Sequence, residues 1–205
     1  ERKQTSWLKF SNEVNLLNKI IKEWLPVVII IALIFLARMF VFSPVKVEGH
    51  SMDPTLHDKQ RLVTSKISNL DRQDIITTKE PDNQNMYVVK RIIGLPGDHV
   101  QMKNNVLTIN GKEYAEPYLD EFKEKFKKDK LNEEYSYNTA FQEQAANAES
   151  FTNDFEVTVP KNQYFVLGDN RLISKDSRIF GFVDKSLIQG KVVVRFWPLN
   201  EIKLF

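Results

Sequence analysis

Between Trp24 and Phe42, nineteen residues carry a single charge, Arg38. At about 1.5 Å per residue a helix of that length reaches about 28 Å, close to the hydrocarbon core of a bilayer at about 30 Å. The stretch is apolar around its whole circumference, whereas a helix packed on a soluble core needs only one apolar stripe. The pattern predicts a transmembrane helix over 24–42, and with no Ala-x-Ala-like cleavage site behind it the segment reads as a retained anchor. Pro26 falls in the first turn of such a span, where a missing amide hydrogen costs least, and the long stem of Arg38 can carry its charge to the interface. Residues 1–23 are polar, with Leu8, Val14, Leu16, Leu17, Ile20 and Ile21 spaced as in a partly amphipathic helix that lies along the membrane or continues into the span. Flanking charge does not orient the span: Lys9, Lys19 and Lys22 precede it, and Lys46, Lys59 and Arg61 follow.

From residue 43 to residue 205 the pattern changes to short β-branched segments separated by turn residues, which predicts strands near 45–48, 61–67, 74–78, 86–93, 99–103, 106–109, 155–159, 164–167 and 191–196. Asn104-Asn105 and Asn110-Gly111 read as hairpin turns. Without alternating helical crossovers, the expected fold is mainly β, with antiparallel sheets folded into a partly open, barrel-like domain. One segment, about 117–150, is charged and helix-favouring, with Leu119, Phe122, Phe126 and Leu131 at helical spacing; it reads as an inserted cap or flap, solvated for most of its surface.

Several chemistries drop out on composition. With no cysteine there is no thiolate nucleophile and no disulfide framework. His50, His57 and His99 lack metal-ligand spacing, so neither a metal nor a cofactor is expected. The near balance of 29 basic and 27 acidic residues argues against a nucleic-acid partner. What remains is Ser51, in Gly49-His50-Ser51-Met52-Asp53-Pro54-Thr55, just past the apolar run. As a nucleophile it needs a base. Lys90 shares a strand face with Met86, Val88 and Ile92; desolvation there disfavours the charged amine and brings its pKa toward a working value near neutrality. Two other readings stay open on the residues alone, a lysine that snorkels to the surface and a Ser-His-Asp set with His57 and Asp53.

Three blocks, taken in order, resemble the bacterial type I signal peptidases, which are membrane-anchored Ser/Lys-dyad proteases. They are Ser51-Met52-Asp53-Pro54-Thr55, then Lys90-Arg91-Ile92-Ile93-Gly94-Leu95-Pro96-Gly97-Asp98, then Gly168-Asp169-Asn170-Arg171-Leu172-Ile173-Ser174-Lys175-Asp176-Ser177-Arg178-Ile179-Phe180-Gly181. The resemblance implies Ser51 as nucleophile, Lys90 as general base and Ser174 as the hydroxyl that orients the lysine amine. It implies supporting ion pairs between Arg91 and Asp169 and between Asp176 and Arg178. Two positions depart from the family pattern: Gly49 stands where some members carry an oxyanion-donating serine, and Leu172-Ile173 replace more polar residues.

By the same resemblance, the partners are the bilayer and the signal peptides of exported preproteins, with small residues before the cut. Residues 1–23 would then be cytoplasmic and residues 43–205 an extracytoplasmic domain on a single-pass protein of the bacterial cell membrane. A non-catalytic assembly factor of similar sequence would be expected to lack Ser51 or Lys90, and a self-cleaving repressor would need a helix-turn-helix where this chain has its apolar run.

Overall fold

The computed structural model describes residues 2–132, 135 and 137–205, with backbone alone for 2–17, 20 and 39. It divides into two units, 1–42 and 43–205.

The first unit is one continuous helix, α1, Arg2–Phe40. Of the two readings of residues 1–23, the backbone takes the one in which the helix continues into the apolar run. Pro26 therefore lies inside a helix instead of in a first turn, where it removes one backbone hydrogen bond. The helix also stops short of the expected end at Phe42, which opens the first strand. Apolar side chains from Trp24 to Leu36 stand bare to solvent. Among the described residues no helix is long and apolar enough to cross a membrane. The longest unbroken stretch with described side chains, 21–38, includes Lys22, Glu23 and Arg38. The amphipathic reading of residues 1–23 falls largely on side chains outside the described ones.

The second unit is built from two antiparallel sheets. The larger contains β1 (Phe42–Lys46), β2 (Arg61–Ser65), β3 (Ile75–Glu80), β4 (Asn83–Gly94), β9 (Gln163–Leu167), β10 (Val183–Asp184), β11 (Ile188–Trp197) and β12 (Lys203–Leu204). Its strands run β1-β2-β11-β3-β4-β9-β10, with β12 on β11. The smaller runs β7-β6-β5-β8, formed by β5 (His99–Lys103), β6 (Val106–Ile109), β7 (Lys112–Tyr114) and β8 (Phe155–Thr158). The mainly β, antiparallel expectation holds, and the large sheet does not close into a barrel: its terminal strands β1 and β10 do not pair with each other. Both predicted hairpin turns form, with positive φ at Asn104, Asn105, Asn110 and Gly111, as a two-residue turn between twisted strands requires.

β4 is the strand that matters most for the site. Its first half is exposed, and its second, Val89–Gly94, sinks between β3 and β9. There Lys90 lies opposite Ile76, and Arg91 opposite both Ile75 and Leu167. Sheet alternation sends these two cations to opposite faces, each without access to bulk water.

The segment about 117–150 forms a 3₁₀ turn at Pro117–Leu119, α2 (Asp120–Asp129) and α3 (Thr139–Asn147). Most of its described residues are exposed or half-exposed, and beneath them lies a packed core. Leu119, Phe122, Phe126, Leu131, Phe141, Ala145 and Phe151 make a buried cluster, against which Leu172 and Ile173 pack. The lysines and glutamates occupy the outer face of α2, and its apolar positions recur at the helical period, so a strongly charged composition still yields a packed core.

Candidate active site

The turn carrying Ser51 is fixed from below by its neighbours. Met52 and Leu56 are fully buried with Val47, Leu62, Ile75 and Val192 of the large sheet, each contributing about 1.5–3 kcal/mol by burial. Backbone bonds close the turn, from Leu56 N to Met52 O (2.9 Å) and from Asn170 N to Ser51 O (3.1 Å). Ser51 is left partly exposed on top.

Across from it, Lys90 Nζ lies 3.0 Å from Ser51 Oγ. The lysine is 3% exposed. Burial pushes its pKa down to about 8; Asp176, Glu80 and Asp169 pull upward but do not offset the desolvation. Both residues line a cleft of about 810 Å³ whose walls include Val45, Val47, Met86 and Val88. A buried amine with a pKa near the working range, in hydrogen-bond contact with a hydroxyl, has the geometry a general base and nucleophile need.

The two expected ion pairs form. Arg91 grips Asp169 through Nε–Oδ1 (2.9 Å) and Nη2–Oδ2 (2.6 Å), both side chains being buried. The Tyr118 ring lies 3.8 Å from the Arg91 guanidinium. Asp176 receives Arg178 Nε and Nη2 at 2.8 Å each, caps the short helix α4 (Ser177–Phe180), and accepts Gly168 N at 3.0 Å. Arg178 continues to Arg171 O at 2.9 Å. The third block of the sequence is thereby folded into one rigid loop beneath the dyad.

Ser174 is brought into the same loop and is buried, but its hydroxyl makes no hydrogen bond, either to Lys90 or to another described residue. It packs against Gly168, where a Cβ would lie 2.1 Å from Ser174 Oγ and 2.5 Å from Ser51 O. Only glycine lets these two serine-bearing segments approach so closely. Gly49 adopts φ +81° and donates its amide to Asp58 Oδ1 at 2.9 Å, while the Ser51 amide has no acceptor among the described residues.

The histidines do not complete a triad. His50 Nδ1 (3.0 Å) and His57 Nδ1 (2.5 Å) both turn to the buried carboxylate of Asp53, and neither bonds to Ser51. The hydrogen bond to Asp53 holds His57 above its ordinary pKa.

Three features were not anticipated from the sequence. Tyr137 donates to Asp53 Oδ2 and stacks on His50. Arg171 pairs with buried Glu116. Lys175 binds Glu80 and also Asp82 (2.9 Å), tying the Ser174 loop to the β3–β4 hairpin. Arg171 and Lys175 lie within a quoted block, but their acidic partners are far away in sequence and nothing local marks them. No group of residues suited to a metal occurs among the described residues.

Residues 21–197 match the family model described as signal peptidase, peptidase S26. A signal peptidase I of Streptococcus pneumoniae (strain ATCC BAA-255 / R6) is 42% identical over 205 residues, spanning 94% of this chain and all of that one. A signal peptidase I of Bacillus licheniformis is 43% identical over 188 residues, covering 88% of this chain and 91% of its own. A crystal structure of a signal peptidase I from Enterococcus faecalis V583, 36% identical, covers 61% of this chain and 97% of that chain with a TM-score of 0.48. The family match spans most of the chain and takes in Ser51, Lys90 and the loop that carries Ser174, and the relatives agree with it: this chain belongs to the signal peptidase, peptidase S26, family.

Proposed function

We propose that this protein is an endopeptidase that removes N-terminal signal peptides from exported preproteins, with Ser51 as nucleophile and Lys90 as general base. The observation that carries this reading is the 3.0 Å contact between Ser51 Oγ and a buried lysine amine whose pKa lies near 8. In its neutral form Lys90 accepts the Ser51 proton as Oγ attacks the scissile carbonyl carbon. The resulting ammonium then gives that proton to the departing amine, leaving an ester on Ser51. A water molecule, losing its proton to Lys90, releases the signal peptide from the ester and restores the serine. The amide of Ser51 faces no competing acceptor among the described residues and serves the developing oxyanion. Gly49 supplies no hydroxyl there, and its own amide is occupied by Asp58.

The substrate lies extended in the cleft beside β4, held by backbone hydrogen bonds. Small residues before the cut fit shallow pockets among Val45, Val47 and Val88. The bare apolar side chains of α1 anchor the chain in the cell membrane as a single pass, with residues 43–205 on the outer side, where precursors emerge. The test is direct. Purified protein incubated with one preprotein should release a signal peptide whose mass, read by mass spectrometry, places the cut after an Ala-x-Ala-like motif; Ser51→Ala and Lys90→Met should yield none. Unchanged processing by either variant refutes the assignment.

A further inference from the structure

The inserted segment reaches back to the nucleophile at one point. Tyr137, between α2 and α3, lays its ring on that of His50 at a centroid distance of 3.7 Å and an interplanar angle of 16°. Its hydroxyl donates to Asp53 Oδ2. His50 and Asp53 bracket Ser51-Met52, so a single side chain engages the residue just before the nucleophile and the residue two after it. Behind it, Tyr137 packs on Phe141 of α3 at 4.9 Å and so joins the buried aromatic cluster of the insert. That cluster also receives Leu172 and Ile173, and Gln144 Nε2 donates to Leu172 O. The insert therefore holds both loops that converge under the dyad, the Ser51 turn through Tyr137 and the Ser174 loop through Leu172-Ile173.

Other side chains already satisfy parts of this turn. His57 also serves Asp53, and Met52 is held by the large sheet. Neither constrains the His50 ring. His50 is about one-third exposed at its side chain, and its described contacts are Asp53 and Tyr137. Without the stack the ring is held by its bond to Asp53 alone, and the backbone leading into Ser51 loses its outer support. Misplacement of a reacting group by about 1 Å costs on the order of 100-fold in rate.

We infer that Tyr137 is a positioning residue for the peptidase reaction, holding Ser51 Oγ in line with Lys90 through its stack on His50 and its hydrogen bond to Asp53. The inference rests on the Ser51/Lys90 reading. It gives the insert a task, a brace on the catalytic turn, where the sequence indicated only a cap.

The test uses the full chain in detergent with one purified preprotein. Tyr137→Phe keeps the stack and loses the hydroxyl; Tyr137→Ala loses both. Expected are a kcat about threefold to tenfold lower for Tyr137→Phe and about 10- to 100-fold lower for Tyr137→Ala, with KM within about twofold of wild type, since the substrate cleft is not touched. The rising limb of kcat/KM against pH should stay near 8, because the burial of Lys90 is unchanged. A merely structural role would shift that limb as the protein loosened. His50→Leu, alone and combined with Tyr137→Ala, tests the stack: acting through one stack, the double variant loses less than the product of the single losses. A kcat within twofold of wild type in both Tyr137 variants, multiplicative losses, or a moved limb overturns the inference. Should Tyr137→Ala fail to fold, Tyr137→Leu, which also removes the ring, takes its place alone and with His50→Leu. Ser51→Ala, run alongside, distinguishes the two failures: residual processing by that variant sinks the dyad reading, whereas its inactivity beside unaffected Tyr137 variants sinks only the brace.

Discussion

Lys90→Met should make this protein inactive and, at neutral pH, more stable. The lysine amine sits at 3% exposure with a pKa of about 8 against an ordinary 10.5. The gap between those values is worth about 3 kcal/mol. Below pH 8 both folded and unfolded chains hold the proton, and the folded one bears the full cost of a buried charge. Between 8 and 10.5 the folded protein has released its proton and the unfolded chain has not, so the wild type gains stability as pH rises. Above 10.5 both are neutral and the penalty is gone. Methionine matches much of the lysine stem without the amine. The carboxylates that face Lys90 keep other partners, Arg178 for Asp176, Lys175 for Glu80 and Arg91 for Asp169. The variant should therefore exceed the wild type by about 3 kcal/mol at pH 7, about 6–12 °C in Tm for a chain of this size, and the advantage should shrink toward zero near pH 10.5. Thermal unfolding of the full chain in detergent, repeated from pH 6 to pH 10.5, measures it. A destabilised Lys90→Met protein at pH 7, or an advantage that does not change with pH, would refute the reasoning that burial alone depresses this lysine.

The kinetic counterpart is that kcat/KM of the wild type rises with pH through about 8, as only the neutral amine accepts the Ser51 proton; a limb near 6.5 would instead indicate a histidine base. Ser51→Ala should lower activity by orders of magnitude while Tm, followed by circular dichroism, stays within a few degrees, because the hydroxyl packs against little. Asp169→Asn leaves Arg91 buried with a weakened partner, and the chain should lose about 3–5 kcal/mol in chemical denaturation. Protease added to intact protoplasts should digest residues 43–205 and leave the N-terminal end of α1 protected; the converse pattern overturns the proposed orientation.

Much of the β framework was legible because its signals are local. The Asn104-Asn105 and Asn110-Gly111 turns set their own geometry, and the apolar alternation of β5 and β6 follows from one buried face. The strands that escaped notice, β7, β10 and β12, are two or three residues long and exist through pairing with a neighbour, which no short window of sequence contains. The end of α1 was misjudged for a related reason. Phe42 is as apolar as the helix before it, and what makes it a strand residue is β2, nineteen residues further on.

At the site, Ser51, Lys90 and both arginine–aspartate pairs were expected chiefly from the family resemblance, while the packed core of the insert was underweighted because its charged composition outweighed spacing. Its lysines and glutamates describe the outer face of α2, but Phe122 and Phe126 lie four apart and meet Phe141 and Phe151 from outside that helix. The departure at Leu172-Ile173 now has a cause. Both side chains are half-buried against this aromatic cluster, so an apolar pair in the Ser174 loop matches an aromatic core in the insert. Gly49 is a separate case, since its φ of +81° suits glycine and an L-serine would be strained there. The turn ahead of the nucleophile is shaped by the Gly49 amide on Asp58, the His50 and His57 rings on Asp53 and the Tyr137 stack, and so the means of presenting Ser51 to Lys90 come from the turn itself and from an insert more than eighty residues away in sequence.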